Sequence, residues 1–180
     1  AVAGVFKFGL GMMLALLLNQ NIALKSFMRA ILLLPWIVPT TLSAIAFWWM
    51  YDSQFSIISW VLVKAGLLDK NIDFLGNSWN ARMSVVAANI WRGIPFVAIS
   101  LLAGLQTISP ALYEAAIIDG ATPWQRFRRI TFPLLTPIIA IVMTFSVLFT
   151  FTDFQLIYVL TRGGPVNATH LMATLSFQRA

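Results

Sequence analysis

Eight residues, seven of them polar or aromatic and one a glycine, recur at helical spacing inside otherwise apolar sequence. Asn89, Arg92, Gly93 and Phe96 follow steps of three and four, so one helix face would carry them all. Ser146, Phe149, Thr150 and Asp153 do the same at i, i+3, i+4 and i+7. Amide, guanidinium, hydroxyl and carboxylate groups beside two phenyl rings combine hydrogen bonding with flat apolar surface. That mixture suits a solute with many hydroxyls and an apolar ring face, which is the chemistry of a carbohydrate. Plain architecture would use the same residues: Ser, Thr and Gly let helices approach closely, and Arg92 and Asp153 could neutralise each other. Other chemistry is excluded. The chain has no cysteine and a single histidine, His170, so it offers neither a thiolate site nor a His cluster. No carboxylate pair or Ser/Lys dyad stands at one depth, which argues against an integral-membrane enzyme.

The elements that must hold these faces follow from composition. The 180 residues are 59% hydrophobic and 10% charged, with a mean hydropathy of +0.84. A soluble domain carries about 25% charged residues, so the natural solvent for this chain is lipid. A spanning helix needs about 20 mainly apolar residues, and four segments qualify, at roughly 1–18, 30–50, 83–105 and 134–153. Each is expected to be continuous helix, because unpaired backbone groups in hydrocarbon are costly. Pro35, Pro39 and Pro95 fall within spans and are expected to kink them. Residues 1–18 lack the basic start of a signal peptide and contain Lys7, so they read as a membrane span cut short. The whole is expected to be a fragment of a longer membrane protein.

The net charge of +6 is a topology signal, not a nucleic-acid one, because it is distributed over the connections. The 19–29 loop carries Lys25 and Arg29 without an acid. The 106–133 loop carries Arg126, Arg128 and Arg129 against Glu114 and Asp119. The 51–82 loop balances Lys64, Lys70 and Arg82 against Asp52, Asp69 and Asp73. Excess basic charge favours the cytoplasmic side, which places 19–29 and 106–133 in the cytoplasm. Trp48, Trp49, Trp60 and Trp79 cluster at the opposite interface, where amphipathic rings prefer to sit. The tail after 153, with its TRGGPVNAT turn signals, reads as an outer loop.

The polar segment YEAAIIDGATPWQRFRRITFP, residues 113–133, is dense in helix punctuation. Ser109 suits an N-cap and Pro110 the first helical position, giving a helix over 110–118 that Asp119-Gly120 ends with a left-handed glycine. Thr122-Pro123-Trp124-Gln125 reads as a second start with a capping box, giving a helix over 123–131 before Pro133 begins the next span. The segment is either a well-capped connector or a rigid lever for a partner protein.

The run Glu114-Ala115-Ala116, three residues, Gly120, nine residues, Ile130-Thr131-Phe132-Pro133 resembles the EAA loop of permeases in binding-protein-dependent ABC transporters, with Phe132 where the pattern usually has Leu. Leu33-Leu34-Pro35-Trp36, Trp91 to Phe96, Leu105-Gln106-Thr107-Ile108 and Ile157 to Pro165 are similar to the carbohydrate-uptake, maltose permease-like members. The resemblance implies an all-α integral-membrane bundle of six core helices, of which this chain would hold about four, so 1–180 would be a permease domain truncated at both ends and 106–133 its cytoplasmic EAA coupling loop. It implies a subunit of an ATP-driven importer in the inner membrane of a bacterium or archaeon. Its partners would be an ATPase dimer, a second permease subunit (homologous or identical), an extracytoplasmic solute-binding protein, membrane lipid and the carbohydrate, with no nucleic acid. Glu114, Ala115, Ala116, Asp119 and Gly120 would dock on the ATPase. No glycine-rich phosphate loop followed by Lys-Ser/Thr occurs here, so ATP and magnesium would belong to that ATPase and this chain would carry no cofactor. Gly93, Ser146 and Phe149 match pocket-lining positions of the maltose type, whereas Arg92, Phe96, Thr150 and Asp153 depart from it. The departures imply a different carbohydrate, or a pocket lying mostly on the second permease. An importer of glycerol phosphate, a polyol or an amino acid is the alternative in the same class, and a membrane scaffold without a transport path the alternative outside it.

Overall fold

The computed structural model describes residues 2–20 and 24–179. It is 75% helix, with no strand among the described residues. The described residues form, in order, ten α-helices: α1 Val2–Asn19, α2 Lys25–Ile37, α3 Thr40–Met50, α4 Ile57–Lys64, α5 Ser78–Gln106, α6 Pro110–Ile118, α7 Pro123–Arg126, α8 Phe132–Phe151, α9 Phe154–Leu160 and α10 Met172–Arg179. A π-helical segment, Phe127–Thr131, joins α7 to α8, so that Pro123–Phe151 is one helix of 29 residues.

Among the described residues three helices are long and apolar enough to cross a membrane: Val2–Asn19, Ser78–Gln106 and Pro123–Phe151. A fourth crossing exists if the α2–α3 pair counts as one span. The expected spans at 1–18 and 83–105 coincide with α1 and α5. Two others differ. The 30–50 stretch is not one continuous helix: α2 and α3 meet at 89°. The cause is Pro39, whose ring disfavours helical backbone at the residue before it. Pro39 itself takes φ −52° and ψ 136° and heads α3. The span expected to start at Pro133 instead continues unbroken from Pro123. Proline lacks an N–H and crowds the carbonyl four residues earlier. The π-turn just before it widens the helix, with the Phe132 N–H bonded to the Phe127 carbonyl, and gives that ring room without a break. Pro95 is buried inside α5 without interrupting it. The tail after 153 also differs from a plain loop, since α9 and α10 flank the TRGGPVNAT turn.

The chain divides into two compact units. The first comprises Ala3–Leu34 and Gly93–Val147. Its core is Met12, Ala15 and Leu18 of α1, Val97, Leu101, Leu102 and Leu105 of α5, and Leu135 and Val142 of α8. Small residues set the helix spacing. A Cβ on Gly11 would stand 2.6 Å from a methyl of Val97 and 3.3 Å from the Ala98 backbone nitrogen, and one on Gly104 would meet Ile138 and Leu135 at 2.7 and 2.9 Å. The second unit comprises Pro35–Arg92 and Leu148–Ala180. Ala44, Tyr51, Ala88, Leu156 and Leu160 form its core, with Phe47 and Phe74 packed against them. The Tyr51 hydroxyl donates to the Ser84 carbonyl at 3.2 Å, and burial pushes its pKa up to about 12. Nearby, Asp52 accepts from the backbone N–H groups of Phe55 and Gln54, which hold its exposed carboxyl below the ordinary value.

Two glycines of α1 should respond oppositely to the same substitution. Nothing lies within 4 Å of a Cβ on Gly9, so Gly9→Ala should be neutral or raise stability by up to about 1 kcal/mol through helix propensity. Gly11→Ala forces a methyl into Val97 and should cost about 1–3 kcal/mol. Thermal unfolding of the two variants in detergent reads the difference, and equal midpoints would remove the close α1–α5 approach.

Candidate functional site

Four of the eight candidates converge in the second unit. Asp153, two residues beyond the end of α8, caps the next helix: its Oδ1 accepts from the Leu156 N–H at 3.4 Å at the start of α9. Its Oδ2 accepts from Asn89 Nδ2 at 3.1 Å and pairs with Arg92 Nη1 at 3.6 Å. The Thr150 hydroxyl donates to Asn89 Oδ1 at 3.4 Å. The Arg92 and Asp153 side chains are 16% and 12% exposed, and Asn89 is buried. Arg92 Nε is buried without a hydrogen-bond partner. A fifth candidate, Phe149, packs its ring 5.9 Å from that of Trp36. Charge at membrane depth is tolerated when paired in this way. The cluster holds one cation and one anion, so it presents fixed donors and acceptors with no net charge. The anion preference that an isolated Arg92 would have brought is cancelled by Asp153.

Gly93, Phe96 and Ser146 belong to the first unit. Phe96 packs on its core and Ser146 is buried in α8. Gly93 carries the side chain of Lys7: a Cβ there would lie 2.7 Å from Lys7 Cδ and 2.8 Å from Nζ, with Cε closer still. A Cβ here would displace the end of the Lys7 side chain, and the backbone at Gly93 is not left-handed. Lys7 is 3% exposed. In the sequence Lys7 reads only as an interruption of an apolar run, although a cation inside a membrane helix is a signal of an interior position. Trp36 likewise stands out in the sequence only as part of Leu33-Leu34-Pro35-Trp36.

The polar segment 109–131 lies wholly in the first unit. α6 starts at Ser109 and Pro110, with Ser109 in the N-cap position but without a side-chain cap bond. It ends with paired bonds from Gly120 N–H to the Ile117 carbonyl and from Ala121 N–H to the Ala116 carbonyl, and Gly120 takes φ +76°. This is the Schellman arrangement, which needs a left-handed residue at that position. One residue on, Thr122 and Gln125 form the full capping box: the Thr122 hydroxyl accepts from Gln125 N–H, and Gln125 Oε1 accepts from Thr122 N–H at 2.8 Å. Tyr113 Oη and Thr131 Oγ1, 2.9 Å apart, bind α6 to the π-segment. Glu114, Ala115, Asp119 and Gly120 are exposed, and Ala116 is half-buried. Ile118 is 86% exposed and Ile117 55%, so the hairpin offers apolar surface beside two carboxylates. A hollow of about 370 Å³ runs under it between Ala116, Asp119, Gly120, Gln125 and Arg129.

Residues 7–180 match the model of the family described as binding-protein-dependent transport system inner membrane component. The chain is 40% identical over 168 residues to the trehalose/maltose transport system permease protein MalF of Thermococcus litoralis, which covers 93% of this chain and 56% of that protein. It is 37% identical over 172 residues to the sulfoquinovosyl glycerol transport system permease protein SmoG of Agrobacterium fabrum, covering 96% of this chain and 54% of that one. It therefore spans about half the length of these relatives. A bacterial alginate ABC transporter, solved in complex with its alginate pentasaccharide-bound periplasmic protein, contains a chain that superposes with a TM-score of 0.85 at 26% identity, over 98% of this chain and 62% of that one.

The Arg92–Asp153 pair generates a stability prediction. Asp153→Asn should keep the α9 cap but strand a buried cation, at a cost of about 3–5 kcal/mol. Adding Arg92→Met should recover more than about 1 kcal/mol of that loss. A double-mutant cycle by denaturant unfolding measures the coupling, and simple additivity would mean that the two charges do not interact.

Proposed function

The chain belongs to the family of binding-protein-dependent transport system inner membrane components, and from that premise we propose that it is the membrane-spanning permease subunit of an ATP-driven importer of carbohydrates. It is a multi-pass membrane protein by its apolar helices, and the membrane we assign is the cytoplasmic one of a bacterium or archaeon, with 19–29 and 106–133 facing the cytoplasm. Residues 21–23 of the first of these loops lie outside the described residues. An extracytoplasmic binding protein delivers the solute, a second permease completes the path, and a separate ATPase pair binds and hydrolyses ATP with magnesium.

The observation that carries this reading is the doubly capped hairpin 109–131 with its exposed Glu114 and Ile118. A connector needs no such rigidity. A lever that passes the motion of a soluble ATPase into α5 and α8 does, because a flexible link would absorb the stroke. Glu114, Ala115, Ala116, Asp119 and Gly120 are the docking residues in this proposal. Carbohydrate as the cargo is supported by the names of the relatives and by the neutral hydrogen-bonding cluster of Asn89, Arg92, Thr150 and Asp153 beside Phe149. Gly93, Phe96 and Ser146 of the first unit are also proposed to contact the solute.

Glu114→Ala removes a carboxylate from the docking surface, and loss of one partner of an interfacial charge pair costs about 2–5 kcal/mol. Gly120→Val strains a left-handed turn by about 1 kcal/mol or more. Both variants should insert normally yet retain less ATPase on co-purification, or uncouple hydrolysis from uptake in vesicles. Full retention and wild-type transport in both would reduce the hairpin to a connector.

The chain has no cysteine, so sidedness is directly testable. In intact cells a cysteine at Thr122 should resist an impermeant thiol reagent, whereas one at Asn71 should react. Labelling at Thr122 from outside would reverse the orientation.

A further inference from the structure

A groove of about 710 Å³ lies in the first unit, between the end of α1, the end of α5, and the helix that starts at Pro123. Neither the proposed solute route nor the docking face of the hairpin uses it. We infer that this groove holds one anionic phospholipid of the cytoplasmic leaflet, with its phosphodiester on Arg126. The lining has two kinds of surface. Leu16, Leu105 and Trp124 are apolar, and Gln20, Tyr113 and Arg126 are polar. A free phosphate would use only the polar part, whereas a phospholipid uses both.

The chemistry of Arg126 points to the headgroup. Its Nε is shut off from solvent and has no hydrogen-bond partner, which is costly for a charged donor. A guanidinium fork matches the oxygens of a phosphodiester in bidentate geometry. Among the described residues no acid lines the groove, and Arg128 and Arg129 add charge of the same sign in a 123–131 segment without any acid. The location fits a bilayer boundary. The groove borders Asn19 and Gln20, where α1 leaves its apolar run, and the first turn of the 29-residue span. Trp124, stacked on Phe127 at 5.6 Å, is 66% exposed, as suits a ring at headgroup depth. Basic pockets between membrane helices on the cytoplasmic side attract anionic headgroups. The inference uses the sidedness proposed above only to choose the leaflet, so it can stand or fall separately from the transport reading.

The test uses the full-length permease assembled with its partner subunits in nanodiscs of phosphatidylcholine containing a minor fraction of brominated lipid. The difference in tryptophan fluorescence between wild type and Trp124→Phe isolates the signal of Trp124. Brominated phosphatidylglycerol should quench it more strongly than brominated phosphatidylcholine at equal mole fraction. Arg126→Gln should reduce that preference about fivefold, and Arg126→Lys, which keeps the charge but loses the fork, should reduce it by a smaller factor. Equal quenching by the two lipids in the wild-type complex overturns the inference, and that comparison needs no arginine variant to fold. An unchanged preference in Arg126→Gln overturns the assignment to this groove. Loss of the preference on adding inorganic phosphate overturns the lipid as occupant in favour of a free anion.

Discussion

Every backbone N–H and C=O that enters hydrocarbon has to be bonded within the chain, because no water is there to replace a lost partner. This constraint explains why the described residues are helical, and it makes the prolines the points at which the architecture is decided. Each proline removes one donor and crowds one carbonyl, and this chain answers in three ways. At Pro39 the helix stops and restarts at 89°. At Pro95 the helix carries on, with the ring buried among neighbours. Before Pro133 the helix widens into a π-turn and continues. The last solution has a structural consequence: the second arm of the hairpin and the apolar span behind it become one continuous helix of 29 residues.

The same scarcity of water governs charge. Arg92, Asp153, Asn89 and Thr150 share their hydrogen bonds inside the second unit, where a single unpaired member would be expensive. Asp153 serves two purposes, since it caps α9 and meets Arg92. A neutral cluster with fixed donors and acceptors is compatible with a hydroxylated solute, and it offers less to an anion than Arg92 alone would. In the first unit, Lys7 lies against Gly93, where the absence of a Cβ makes room for its side chain.

Punctuation near the membrane surface follows local rules. The Schellman bonds at Gly120 and the capping box at Thr122 stand within a few residues of each other. Together they satisfy backbone groups that would otherwise need water or a partner. The turn between α6 and α7 is thereby fixed in direction, and the Tyr113–Thr131 contact ties its two arms together.

The sequence by itself determined the solvent, the helical class, the position of α1 and α5, and the caps at Asp119-Gly120 and Thr122-Gln125. Those features depend on composition, on runs matched to the thickness of hydrocarbon, and on bonds that close within about six residues. It also carried the EAA and GGP patterns by which the family could be recognised. Only the tertiary structure decided that 30–50 is two helices, that Pro133 is absorbed and not a boundary, and that α9 and α10 occupy the tail. Periodicity placed Asn89, Arg92, Gly93 and Phe96 on one face, yet it could not say what that face meets. Asp153 lies 64 residues from Asn89, and Lys7 lies against Gly93 from another helix altogether. Spacing along a helix fixes which side chains share a side, whereas their partners are fixed by how distant helices pack, and packing is a property of the whole set of surfaces at once.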